Sequence, residues 1–102
     1  INPINLMSPS NKKKLEIIRS KLDKLDNKLL SLVKYRTNLV KEVLKLKEYK
    51  NEIVDKKRIN FILKKINGKS KKLKIDPKIT NRIWKNMIWS YIDYEKRNFK
   101  KK

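Results

Sequence analysis

The chain has 102 residues, enough for one domain and too few for two independent cores. It contains no Cys and no His, which excludes disulfides, thiolate metal sites and the commonest general base; any chemistry here runs on Arg, Lys, carboxylates and hydroxyls. Thirty Lys plus Arg against ten Asp plus Glu give a formal net charge of +20, and no apolar run approaches the ~20 residues of a membrane span.

The first segment, residues 1–11, is polar, contains Pro and lacks periodicity, so it reads as a flexible N-terminal segment. Its first ten residues lack the charged start and apolar centre of a signal peptide, which makes a cytoplasmic protein the default expectation. Ser10 is the expected N-cap of a first helix. Its apolar residues fall at Leu15, Ile18, Leu22, Leu25, Leu29, Leu32, Leu39, Val43 and Leu46, a three–four alternation that marks a helix packed along a seam. No Pro or Gly interrupts it before the polar Glu48–Glu52 stretch, so the helix has about 35 residues and a length of roughly 50 Å. A compact globule of this size has a radius of gyration of only about 13 Å, and two short partners from the same chain cannot cover such a seam. A homodimer is the expected remedy.

A second helix is predicted to start at Asp55 as N-cap and to carry Ile59, Ile62, Leu63 and Ile66 on one face. Gly68, the only glycine, is expected to end or kink it, with Lys69–Lys74 as a basic connector. Asp76-Pro77 supplies a cap followed by Pro at the first helical position. The third helix then runs through Ile79, Ile83, Trp84, Met87, Ile88, Tyr91 and Ile92 to about Phe99, leaving a basic tail at residues 100–102. No strand pattern or internal repeat appears. The fold class is all-α: three helices, long, short and medium, with residues 12–99 as the helical domain.

The basic excess is nearly all Lys, spread over every segment, and it accompanies abundant Asn and Ile with no Ala or Gln. Such a composition matches the codon drift of an AT-rich genome better than a clustered nucleic-acid surface. Against that background the five arginines, Arg19, Arg36, Arg58, Arg82 and Arg97, are the informative cations.

Continuing the seam through Leu32 lands on Arg36. A guanidinium on an apolar seam is costly unless an anion or carboxylate satisfies it, so Arg36 either snorkels to a carboxylate such as Glu42 or Asp26, or binds an anionic ligand. Lys47 lies 11 residues on, which at ~100° per residue is three turns plus ~20° and places it on the same face. Arg19, 17 residues before Arg36, is turned ~100° away and suits a partner subunit's site better than its own. On the third helix, Trp84, Ile88, Tyr91 and Glu95 form a further three–four stripe ending in a carboxylate. A buried Glu95 facing Lys47 is either an ion pair or a protonated donor. Trp84, Trp89 and Tyr94 read as core or dimer-contact residues.

The run Leu15-Glu16-Ile17-Ile18-Arg19-Ser20-Lys21-Leu22-Asp23-Lys24-Leu25-Asp26, followed by Leu29-Leu30, Leu32, Arg36, Val43 and Lys47, resembles the first helix of the all-helical chorismate mutase family. Val54-Asp55-Lys56-Lys57-Arg58 resembles that family's Asp-x-x-Arg segment, and Ile75-Asp76-Pro77 with Ile83-Trp84-Lys85-Asn86-Met87-Ile88 its third-helix entry. The similarity covers roughly Leu15–Phe99. It implies an intertwined homodimer of three-helix subunits, a small dicarboxylate substrate and no cofactor or metal. It further implies that Arg36 and the partner subunit's Arg19 hold the two carboxylates, with Lys47 and Glu95 bracketing the ether oxygen as chorismate rearranges to prephenate. Asp55, Arg58, Ile59 and Tyr91 fall at its remaining substrate-binding positions.

Three departures matter. Ile59 stands where the family usually has Glu, Tyr91 where it often has Ser, and Glu95 where it usually has Gln. Ile59, Tyr91 and the Lys47–Arg58 spacing lean toward the isochorismate pyruvate lyase branch, which eliminates pyruvate from isochorismate to give salicylate; Asp55 is retained as in ordinary mutases. A carboxylate cannot donate to an ether oxygen whereas a carboxylic acid can, so Glu95 in that role implies activity that rises at mildly acidic pH. Outside enzymology the rivals are a basic helical dimer binding nucleic acid or an acidic protein, and a silent dimerisation module. Titration with generic duplex at rising salt separates the first: nucleic-acid binding requires tight, steeply salt-dependent association, and the distributed charge predicts none.

Overall fold

The computed structural model describes residues 7–101, and every regular element among them is helical. Helix α1 spans Pro9–Leu46 (38 residues), a single 3-10 turn follows at Lys50–Glu52, α2 spans Lys56–Lys72 (17 residues) and α3 spans Pro77–Asn98 (22 residues). The long, short and medium order predicted from periodicity is the one observed. The chain divides into two compact units, Ile1–Arg36 and Thr37–Lys102.

In the first unit the helix begins earlier than Ser10. The Ser8 hydroxyl accepts from the Asn11 N–H at 3.1 Å and the Ser8 carbonyl from the Lys12 N–H at 2.9 Å, so Ser8 caps and Pro9 opens the first turn. Residues 9–11, expected to be irregular, are therefore helical; residues 1–6 of that expected flexible segment lie outside the described residues. The apolar residues Ile18, Leu22, Leu25, Leu29 and Leu32 are 49–63% exposed.

The second unit shows which face of α1 its last turns use. Leu39, Val43 and Leu46, placed on the packed seam by the three–four alternation, are 43%, 48% and 79% exposed. The half-buried residues are instead Thr37, Val40, Leu44 and Lys47, also at three–four–three spacing but rotated by roughly 100°. Both stripes are apolar enough to read as a seam; contact with α3 selects the one that carries Thr37 and Lys47.

The connector is organised by one carboxylate and one isoleucine. Glu52 Oε1 accepts from the N–H groups of Glu48 at 2.8 Å and Tyr49 at 2.7 Å, using donors left bare beyond the end of α1. Ile53 then enters the core with Ile88 and Ile92, where these three residues are 3%, 6% and 6% exposed. Val54, Ile59, Ile62, Leu63 and Phe99 pack around them. Asp55 caps α2 as predicted, accepting from the Arg58 N–H at 3.0 Å, and Asp76 caps α3 through the Lys78 N–H at 2.9 Å. Where α2 meets α3, the buried hydroxyls of Ser70 and Thr80 lie 2.6 Å apart. Ser70 also reaches the Ile66 carbonyl at 2.7 Å and Thr80 the Pro77 carbonyl at 3.4 Å, so either hydroxyl can donate to the other.

Gly68 does not end α2. The helix continues through it to Lys72, and the left-handed position past the end belongs to Lys74, at φ 59°. The connector expected at Lys69–Lys74 is correspondingly shorter, because Lys69–Lys72 form the last turn of α2. Glycine thus sits where it weakens the helix, and a lysine sits where glycine is favoured. A Cβ added at Gly68 meets nothing within 4 Å. Two substitutions are therefore expected to stabilise the protein: Gly68→Ala by about 1 kcal/mol and Lys74→Gly by roughly 0.5–1 kcal/mol. Urea denaturation followed by helical circular dichroism measures both, and a lower midpoint for either rejects its account.

Candidate active site

The second unit brings the last turns of α1 against α3 through two polar contacts, four residues apart on α3 and ten apart on the α1 side. Lys47 is the first residue beyond α1; its N–H donates to the Leu44 carbonyl at 3.2 Å, which tightens the last turn and directs the side chain toward α3. Its Nζ lies 2.8 Å from Glu95 Oε1, and the two side chains are 17% and 7% exposed. Four residues earlier on α3, the Tyr91 Oη lies 2.7 Å from Thr37 Oγ1. The stripe Trp84, Ile88, Tyr91 and Glu95 predicted for α3 is half-buried or buried throughout.

A carboxylate as enclosed as Glu95 requires a partner, and Lys47 provides it with the short distance of a charge-assisted hydrogen bond. An ammonium carries three donors, so the bond to Glu95 leaves Lys47 able to donate to a second acceptor. Beside it opens a depression of about 660 Å³ lined by Lys47, Asn51, Glu52, Val54, Asp55, Lys56 and Lys57. Glu52 and Asp55 are bonded to backbone N–H groups and Lys47 to Glu95, so Lys56 and Lys57 are the lining cations with no carboxylate bonded to them among the described contacts.

The other candidate residues are distributed as follows. Asp55 lines the depression with Lys47 while capping α2. Arg58 is exposed, its guanidinium 5.5 Å from the centre of the Phe61 ring one turn along the same helix. Ile59 is half-buried against the isoleucine core. Arg36 is half-buried and Arg19 is exposed, both within the first unit. Thr37 was not among the residues singled out from sequence. The signal that identifies it is the stripe Thr37, Val40, Leu44, Lys47, in which its hydroxyl occupies an inward position.

If Lys47 and Glu95 are coupled as the 2.8 Å distance indicates, a double-mutant cycle with Lys47→Met and Glu95→Gln, read by urea denaturation, gives a coupling of about 1–2 kcal/mol. Additive effects reject the pairing. Comparison with known proteins gives one family: a model described as chorismate mutase type II matches residues 18–96. No curated protein and no solved structure matches the chain.

Proposed function

This chain belongs to the chorismate mutase type II family, and from that premise we propose that it rearranges chorismate to prephenate in a pericyclic step. The observation that carries the reading is the Lys47–Glu95 pair, 2.8 Å apart at the edge of the depression that Lys56 and Lys57 also line. The substrate is a dicarboxylate enol-pyruvyl ether, and its reaction needs no nucleophile, base or metal from the protein. What it needs is confinement in the compact conformer and stabilisation of the negative charge that develops on the ether oxygen.

In this reading Lys47 donates to the ether oxygen; Glu95, the acceptor of the Lys47 ammonium in the free chain, has to gain a proton on substrate binding to donate from the other side. Arg36 and the partner subunit's Arg19 hold the two carboxylates, for which the guanidinium fork is better shaped than an ammonium. Asp55, Arg58, Ile59 and Tyr91 shape the ring side of the pocket, and the Tyr91–Thr37 bond, at 2.7 Å, fixes the phenol. The homodimer that supplies Arg19 is supported by the half-exposed Ile18, Leu22, Leu25, Leu29 and Leu32 stripe, an apolar surface larger than single scattered residues. The family's reaction is a soluble metabolic step, and no helix among the described residues is long and apolar enough to cross a membrane; the reading places the enzyme in the cytoplasm.

One observation favours a second reaction on the same framework. Ile59, where the family usually has Glu, packs against the isoleucine core and offers no polar atom to a ring hydroxyl. That loss matters less for isochorismate, whose hydroxyl is elsewhere on the ring, so elimination of pyruvate to give salicylate is the alternative.

Incubation of the purified chain with chorismate and, separately, isochorismate decides between them by product: prephenate, or salicylate plus pyruvate. Absence of product from both sinks the enzyme reading. Lys47→Ala is expected to lower kcat/KM by about 100-fold or more, the scale of a lost transition-state donor. Glu95→Gln, whose amide donates without gaining a proton, is expected to raise kcat/KM. An unchanged Glu95→Gln variant takes Glu95 out of the mechanism.

A further inference from the structure

Where the last turns of α1 meet the end of α3 lies a cavity of about 320 Å³ that shares no residue with the Lys47 depression. Leu44, Tyr94 and Phe99 are half-buried and form its floor, while Lys41, Lys45, Lys100 and Lys101 are exposed and form its rim. No carboxylate lines it. Among the described residues none of these four lysines is in an ion pair; Glu42, next to Lys41 in the sequence, does not line the cavity, and Glu95 is bonded to Lys47 at 2.8 Å.

The Lys101 ammonium donates to the Lys45 carbonyl, satisfying an acceptor in the last turn of α1. The negative end of the helix dipole attracts cations, and it accounts for Lys45 and Lys101. It does not account for Lys41, which lies more than a turn before the end, where the effect has faded. Nor does it account for an aromatic floor. Four like charges around one small hollow repel one another, and an anion between them relieves that cost.

We infer that this cavity is a second binding site, for a small aromatic carboxylate whose ring lies on Tyr94 and Phe99 and whose charge meets the lysine rim. A volume of about 320 Å³ is at the low end of the ~300–1,000 Å³ typical of ligand pockets, which suits a single ring. The floor selects an apolar ring and the rim selects its negative charge; neither feature alone describes the ligand. The site stands independently of the proposed reaction, because it uses none of the residues assigned to it.

The test is a titration of the full-length, isotope-labelled chain with benzoate, followed by backbone amide shifts, beside parallel titrations with benzyl alcohol and inorganic phosphate. Benzoate is expected to give saturable shifts at Leu44, Lys45, Asn98, Phe99 and Lys100. Neither the uncharged ring nor the ringless anion should match its affinity. The double variant Lys41→Glu with Lys45→Glu, both exposed and therefore compatible with folding, is expected to weaken benzoate binding about tenfold. Equal response to phosphate reduces the site to a patch of charge, and equal response to benzyl alcohol reduces it to an apolar hollow. Either result overturns the proposal, as do benzoate shifts confined to the Lys47 depression or an unchanged affinity in the double variant.

Discussion

Three isoleucines hold the second unit together, and its other features are arranged around them. Ile53 comes from the connector, and Ile88 and Ile92 come from one face of α3. Because Ile53 sits between the end of α1 and the start of α2, burying it fixes where both helices begin and end relative to α3. A core this small leaves little surplus over the conformational entropy of the chain, so polar contacts at its margin gain importance. The Lys47–Glu95 pair and the Thr37–Tyr91 bond are those contacts. Each ties α1 to α3 at a defined height, and the same geometry that closes the core also presents an ammonium to the neighbouring depression.

The distribution of carboxylates explains how a chain of such high positive charge keeps specific structure. Acids are few, and several of them do a local task that a lysine cannot. Asp55 and Asp76 accept backbone N–H groups at helix starts, where negative charge is favourable. Glu52 closes the connector and Asp93 engages Arg97 across one helical turn. Glu95 is the one among these placed inside the fold rather than at its surface. Lysines occupy mostly exposed positions, where an ammonium remains solvated whichever residue neighbours it. That asymmetry is why composition alone said little about function, while the position of one acid said a good deal.

The first unit follows a different rule. Among the described residues none of α1 is buried, and its stripe Ile18, Leu22, Leu25, Leu29 and Leu32 stays 49–63% exposed. Such a stripe is informative about association and silent about chemistry, since burial of apolar area is non-directional. The polar residues of the second unit carry the directional information, because hydrogen bonds and ion pairs constrain distance and angle together.

The sequence by itself determined the all-helical class, the order of helix lengths, and the caps at Asp55 and Asp76, since periodicity and capping are local properties of neighbouring residues. It also named Lys47 and Glu95 as residues that could meet, Glu95 from its stripe on α3, although it set Lys47 on the Arg36 face rather than with Thr37, Val40 and Leu44. Only tertiary structure decided which of two adjacent stripes on α1 turns inward, because both are apolar enough and the choice belongs to α3. It likewise assigned Thr37 to Tyr91, placed Ile59 against the core, and moved the end of α2 from Gly68 to Lys72. A glycine signals a helix end only when the chain must turn there, and the turn is set by where α3 has to pack.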